Sequence, residues 1–391
     1  MTDVRCPTSD EAGSRPVYLD YAATTPVDPE VAAAMLPWLG ERFGNPSSAH
    51  FYGCEARKKV EESREEVAAL IGAEPDEIVF AGSATEANHL AILGCVRALV
   101  RDGRRDLAAS AVEHPSVAGP FSLLAPEGWN VSLLPVDSSG RVNLQVAERL
   151  IGPETAFVSV MLANNETGTV QPVVEIADLA RSRGARLHVD AAQAIGKIPV
   201  DVNTLGADLL TLAGHKFYAP KGIGVLYVRR GIPLQPLMVG GGQERGLRPG
   251  TENVPAIIGL GVAARLVRNN LGREVRRMER LRERLYRRLA GAIPKIVLNG
   301  SSDDRLPNTL NLSFPGVRGG DLLAEAPWVC ASTGNACHGV IPLPSPVLRA
   351  MGFPDERALG AVRLSLGRFT IPEEIDLASD VLVAAWNKLV F

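Results

Sequence analysis

Short runs rich in β-branched and aromatic residues alternate with helical patterns along most of this chain. The runs are "EIVF" at 77–80, "AFVSVML" at 156–162, "RLHVD" at 186–190, "DLLTL" at 208–212 and "GVLYV" at 224–228. Between them lie helical patterns at 53–71, 85–100 and 173–183. Strands separated by helices must cross over to pair in parallel, so the alternation predicts an α/β fold with a mainly parallel sheet covered on both faces. Ligands of such sheets bind beyond the carboxyl ends of the strands. His114, Asn165, Asp190 and His215, polar residues near those ends, are therefore candidates for chemistry.

A second helical pattern runs from about 255 to 289 and carries ten arginines between 265 and 288, beside Glu274, Glu279 and Glu283. It reads as a solvated helix face laced with i,i+4 pairs rather than a nucleic-acid stripe. We expect a loose tail at 1–16, a large domain at 17–265 and a smaller α+β domain at 266–391. A net charge of −3 gives no electrostatic grip on nucleic acid or an anionic membrane. The longest apolar helical stretch, 254–267, is too short to span a bilayer, and the polar first 15 residues do not read as a signal peptide. The expected location is the cytoplasm. The five scattered cysteines form no CxxC, which argues against a disulfide framework and a structural zinc site.

Lys216 follows the run "DLLTL" within "TLAGHKFYAPKGIGVLYV". A lysine amine held there suits a Schiff base with an aldehyde cofactor. Pyridoxal phosphate would also need an acid for its ring nitrogen, a phosphate cradle and a flat partner for the ring. Asp190, at the end of "RLHVD", can hold the pyridinium proton, and Gln193 can reach the ring hydroxyl. "GSATEANHLA" puts Gly82, Ser83, Ala84 and Thr85 at a strand-to-helix turn, where backbone N–H groups bind phosphate. His114, in "AVEHPSV", could stack on the ring, and Asn165, in "MLANNETG", could touch ring or substrate. A nucleotide-binding α/β protein is the rival from another class. It would have to use the glycines of "GGGQERG", since neither GxxxxGK nor a post-strand GxGxxG occurs.

With "YLDYAATTPVDPEV", "GNPSSAH", "FAGSATEAN", "VEH", "NNETG", "HVDAAQ", "GHKFYAPKGIG", "GGGQERGLRPGTEN" and "RLSLGRFT" in order, the chain from 17 to 390 resembles the cysteine desulfurases of the class V aminotransferase family and the related selenocysteine lyases. The resemblance implies a fold-type-I large domain with a seven-stranded sheet and a smaller α+β domain. It implies Lys216 as the cofactor's attachment point, His114 against the ring, Asp190 at the pyridine nitrogen and Gln193 at the ring oxygen. Ala84, Thr85, Ala213 and His215 fall in the phosphate region. Thr251 matches a residue that reaches the phosphate from the partner subunit, which implies a homodimer. Arg363 matches the arginine that grips the substrate carboxylate, a bidentate task suited to a guanidinium. "ASTGNACHG" matches the loop of the catalytic cysteine, here Cys337. Its thiolate would take the sulfur as a persulfide and pass it to an acceptor that the sequence does not name.

The chain departs from the family's common pattern in places. It reads "GSATE" where "SGATE" is common, and Ala213 stands where a serine is common. "EAPWVC" puts Pro327 and Trp328 where a helix end is common. After Cys337 comes "HG" rather than "TS", and "ACH", "PSPVL", "MLANNETG" and "GHKFY" lean toward the selenocysteine lyase branch. His338 could help ionise the thiol or be a solvated neighbour.

Overall fold

The computed structural model describes residues 15–333 and 343–390. In chain order its strands are β1 (Val17–Tyr18), β2 (Ile78–Ala81), β3 (Asp106–Ser110), β4 (Asn130–Leu134), β5 (Thr155–Met161), β6 (Arg186–Asp190), β7 (Leu209–Ala213), β8 (Gly224–Val228), β9 (Val297–Leu298), β10 (Thr309–Ser313), β11 (Val329–Cys330) and β12 (Ala361–Ser365). Seven of them form the central sheet in the order β2-β8-β7-β6-β5-β3-β4. Neighbours from β7 through β4 are parallel, and β8 alone runs against its two neighbours. The carboxyl ends of β2, β3, β5, β6 and β7 therefore share one edge, where β8 begins.

The five strands expected from the sequence all form, within a residue or so of their predicted ends. β3 ("DLAAS") and β4 ("NVSLL") join them without having announced themselves. The first is alanine-rich, which weakens its β signal, and the second is an edge strand with two exposed residues. β5, β7 and β2 are buried along their whole length. Burial on both faces is why they read as continuous apolar runs rather than alternating ones.

A smaller antiparallel sheet, β12-β10-β9, and the pair β1-β11 lie outside the central sheet. The helix Val254–Ala292 connects the two parts without a break. Its first half, through Val267, packs in the core of the large sheet, and Leu281, Leu285 and Leu289 pack in a second core with Leu312, Leu364 and Trp386. The expected boundary at 265/266 falls inside this helix. Val17 of β1 and Leu19 just after it pack in the second core. The helix's arginines pair mostly across elements rather than along the helix. Arg284 and Arg288 reach Asp376 and Asp380 of the helix Pro372–Val390, and Arg265 and Arg268 reach Glu30 and Glu66.

Pro327 has a structural reason. The helix Gly319–Glu325 stops before it, which frees Trp328 and Cys330 to accept hydrogen bonds from the N–H groups of Val17 and Leu19 at 2.9 and 2.8 Å. No helix among the described residues is long and apolar enough to cross a membrane.

Candidate active site

At the end of β7 the backbone makes a single 3-10 turn, Gly214–Lys216, and Lys216 faces the segment that follows β1. Its Nζ donates to the carbonyls of Ala22 and Ala23 at 2.6 and 2.7 Å. Burial and the nearby Arg363 lower the Lys216 pKa to about 8, against the opposing pull of Asp20 and Asp190. The amine is thus far easier to deprotonate than a surface lysine. Gln193 Nε2 donates to the same Ala22 carbonyl at 2.8 Å.

Asp190 ends β6, the strand beside β7, and is buried. Its Oδ1 accepts from the Ala192 N–H and its Oδ2 from Asn88 Nδ2, both at 2.9 Å. Asn88 spends its second N–H on Ser116 Oγ at 2.9 Å. Ser116 Oγ lies 2.8 Å from His114 Nδ1, and the Ser116 N–H also donates to that nitrogen. An Nδ1 that accepts leaves the ring's proton on Nε2. Burial lowers the His114 pKa, so the ring is neutral at pH 7. A continuous chain of hydrogen bonds therefore joins His114 to Asp190 through Ser116 and Asn88. Asn88 Oδ1 is buried with no partner among the described residues.

Behind Asp190, His188 is wholly buried between Ser159 and Thr211, and burial takes its pKa down to about 4. His215 bonds Thr24 through Nδ1 at 3.2 Å, and burial with the surrounding lysines lowers it to about 4. Both rings are neutral at physiological pH.

After β2 the chain turns through Gly82 and Ser83 into the helix Ala84–His89. Ser83 caps it, with Oγ accepting from the Glu86 N–H at 3.1 Å, and the Gly82 N–H donates to Glu86 Oε2 at 2.7 Å. β8 starts against this turn. A Cβ on Gly224 would stand 2.4 Å from the Ser83 carbonyl carbon and 2.7 Å from the Ala84 nitrogen, so only glycine allows the approach. Thr85 is exposed on the first turn of the helix, and Ala213 is buried at the end of β7.

Arg363 enters from β12. It is buried, its Nη2 pairs with Asp20 Oδ1 at 2.8 Å, and its Nη1 donates to the Asn165 carbonyl at 2.9 Å. Its Nε has no partner among the described residues. The Asn165 side chain is half-buried. Cys337 and His338 lie outside the described residues, but both flanks of their segment are fixed here. Ser332 exchanges backbone hydrogen bonds with Arg363, and Ser345 Oγ donates to the buried Glu166 carboxylate at 2.5 Å.

His114, Asp190, Gln193, His215, Lys216 and Arg363 thus gather at one edge of the sheet, with the turn that carries Ala84 and Thr85 at its β2 end. Thr251 is exposed. Asp20, Asn88, Ser116 and the buried Lys197, which donates to the Lys216 carbonyl at 3.0 Å, had no signal of their own in the sequence. Asp20 and Asn88 sit in the motifs "YLDYAATT" and "FAGSATEAN", but their charged partners, Arg363 and Asp190, are over 100 residues away. Among the described residues no group of three or more acidic, histidine or cysteine side chains could hold a metal.

The sequence profile of aminotransferase class-V matches residues 17–377. The chain belongs to the class-V aminotransferase family. Within this family it is 45% identical over 375 residues to a cysteine desulfurase of Nostoc sp., covering 95% of this chain and 93% of that one. It is 44% identical to cysteine desulfurase IscS 1 of Archaeoglobus fulgidus, covering 95% and 97%. A solved NifS-like protein superposes with a TM-score of 0.90 at 36% identity, covering 96% of this chain and all of that one. The family's enzymes depend on pyridoxal phosphate.

Proposed function

We propose that this chain is a pyridoxal-phosphate-dependent cysteine desulfurase that converts L-cysteine to L-alanine and takes the sulfur on Cys337 as a persulfide. The observation that carries the reading is the meeting of a half-buried lysine of lowered pKa, a buried aspartate and a buried arginine at one sheet edge. The relatives' names favour cysteine over selenocysteine as substrate.

The donor set fits pyridoxal phosphate. Lys216 offers an amine, Asp190 a carboxylate braced by two N–H donors, and the close approach of Gly224 fixes the backbone of the 82–85 turn. In this reading Lys216 would hold the aldehyde carbon, Asp190 the ring nitrogen, Gln193 the ring oxygen and His114 a ring face. Ala84, Thr85, Ala213 and His215 would surround the phosphate, with Thr251 arriving from a second copy. When bound, the cofactor supplies an electron sink for the substrate's α-carbon.

The chain's own residues do the rest. Arg363 grips the substrate carboxylate, which must compete with Asp20 for the guanidinium. The Asn165 carbonyl holds that guanidinium in plane, and the Asn165 side chain touches substrate. The Lys216 Nζ takes the substrate's α-proton, and the Ala22 and Ala23 carbonyls hold the resulting ammonium. The Cys337 thiolate attacks the substrate's sulfur. An S–S bond forms, the C–S bond breaks with its electron pair left on the substrate's β-carbon, which takes up a proton, the α-proton returns from Lys216, and alanine leaves.

A homodimer follows from the same reading. Leu36, Leu39, Phe43 and Phe51 are each at least 66% exposed, an apolar surface that calls for a cover. The core around Leu281, Leu285, Leu312, Leu364 and Trp386 supports a small C-terminal domain to which β1 is lent, with Val267 and Leu306 still packing in the core of the large sheet.

The test is alanine release from L-cysteine and, separately, from L-selenocysteine by wild type and Cys337→Ser. Alanine from cysteine, abolished in the variant, is the expected result. Alanine from selenocysteine alone would move the substrate, and alanine from neither would sink the reading.

A further inference from the structure

The turn that is meant to receive a phosphate carries a carboxylate. Glu86 lies in the first turn of the helix Ala84–His89 and accepts the Gly82 N–H at 2.7 Å. A negative charge so close to an anion site should oppose it. Its other oxygen, Oε1, is held at 2.8 Å by Nε of Arg248, and the two side chains are about equally covered, at 26% and 27% exposure. Arg248 belongs to "GLRPGTEN", three residues before Thr251.

Gly82 sits between these two groups. A Cβ there would stand 2.6 Å from Glu86 Oε2 and 3.5 Å from Arg248 Nη2. A side chain at position 82 would push the carboxylate off the Gly82 N–H. This gives a reason for "GSATE" in place of the commoner "SGATE". The glycine stands where the carboxylate must come close, and the serine moves to 83, where its Oγ caps the Glu86 N–H.

A second tie joins the same two segments. Glu244, in the loop that carries Arg248, accepts from Nη1 and Nη2 of the buried Arg64 at 2.8 Å and from the Phe80 N–H of β2 at 2.8 Å. Glu244 and Arg245 both hold left-handed backbone, at φ 46° and 57°. Two consecutive non-glycine residues there are a strained arrangement, which persists only where surrounding contacts enforce it. The 240–250 loop is thus fixed to the strand and the turn that precede the phosphate position.

We propose that Arg248 is a positioning residue that neutralises Glu86 and holds its carboxylate on the Gly82 N–H, so that the 82–85 turn accepts the cofactor's phosphate. The inference rests on the cofactor reading given above. It concerns the phosphate alone, not the ring or the lysine.

The test compares binding of pyridoxal phosphate with binding of pyridoxal, which lacks the phosphate, by absorbance titration of the cofactor-free enzyme. Wild type, Arg248→Met, Glu86→Gln and the double variant are compared, and thermal unfolding establishes that each is folded. Wild type should prefer the phosphorylated form strongly. In Arg248→Met the affinity for pyridoxal phosphate should fall about tenfold with pyridoxal unchanged. The double variant should recover to within about threefold of wild type, because the unpaired charge is gone. Equal losses for both ligands in Arg248→Met, or no recovery in the double variant, would make Arg248 a structural residue and overturn the proposal. A wild type that binds both ligands alike would overturn the cofactor reading itself, and the proposal with it.

Discussion

The Lys216 amine meets protein where a surface lysine meets water. Two carbonyls hold it, Arg363 repels it, and its pKa falls to about 8. A lysine with a lowered pKa is charged below that value and a free base above it. The rate at which cofactor-free enzyme forms its chromophore with pyridoxal phosphate should therefore rise with pH and level off near 8, rather than climb toward the ordinary 10.5. A stopped-flow pH series reads this directly, and a profile still climbing steeply at pH 9.5 would contradict it. Asp20 pulls the other way, so Asp20→Asn should move the midpoint to lower pH. The same side chain pairs with Arg363, so this variant should also change the KM for cysteine, a split that separates its two influences.

At the scale of elements, the turn at 82–85 depends on the beginning of β8. Gly224→Ala would place a methyl group against the Ser83–Ala84 backbone, where no flexible side chain can yield. We expect a loss of about 1–3 kcal/mol in stability and at least a tenfold loss in pyridoxal phosphate affinity, measured by thermal unfolding and absorbance titration. Full affinity in a folded variant would dissociate the turn from the phosphate. This dependence shows what the sequence could and could not disclose. The strands that carry Lys216 and Asp190 were legible because burial on both faces leaves uninterrupted apolar runs. The residues bracing them were not. Asn88 and Ser116 act only because two separate turns come together over Asp190, 102 residues from Asn88. Pro327 read as an interruption with no purpose, because its purpose, the pairing of β11 with β1, joins segments some 300 residues apart. The arginines of the long helix read as local pairs, yet several find acids on another helix, since period and charge reveal a solvated face but not the neighbour beside it.

For the molecule as a whole, the site is incomplete if Thr251 serves a second copy. The apolar residues Leu36, Leu39, Phe43 and Phe51 are where that copy should sit. Sedimentation should show a dimer for the wild type, and Phe43→Asp should raise its dissociation constant by at least about tenfold. Thr251→Ala should leave the mass unchanged and weaken cofactor binding. A monomer that holds its cofactor as tightly as the dimer would remove Thr251 from the site.

The segment just after β1 carries a further consequence, for the birth of the protein. Asp20 and Ala22, which flank the lysine's resting place, take their partners from Arg363 and Ser365, 343 residues later. On a ribosome adding about 5–20 residues per second, the early strand waits roughly 20–70 seconds for the strand that will receive it. The large sheet can assemble during that interval, but the segment over Lys216 cannot take these partners until residues 363–365 have emerged. A chain stopped before residue 363 would offer Asp20 and Ala22 neither of these partners.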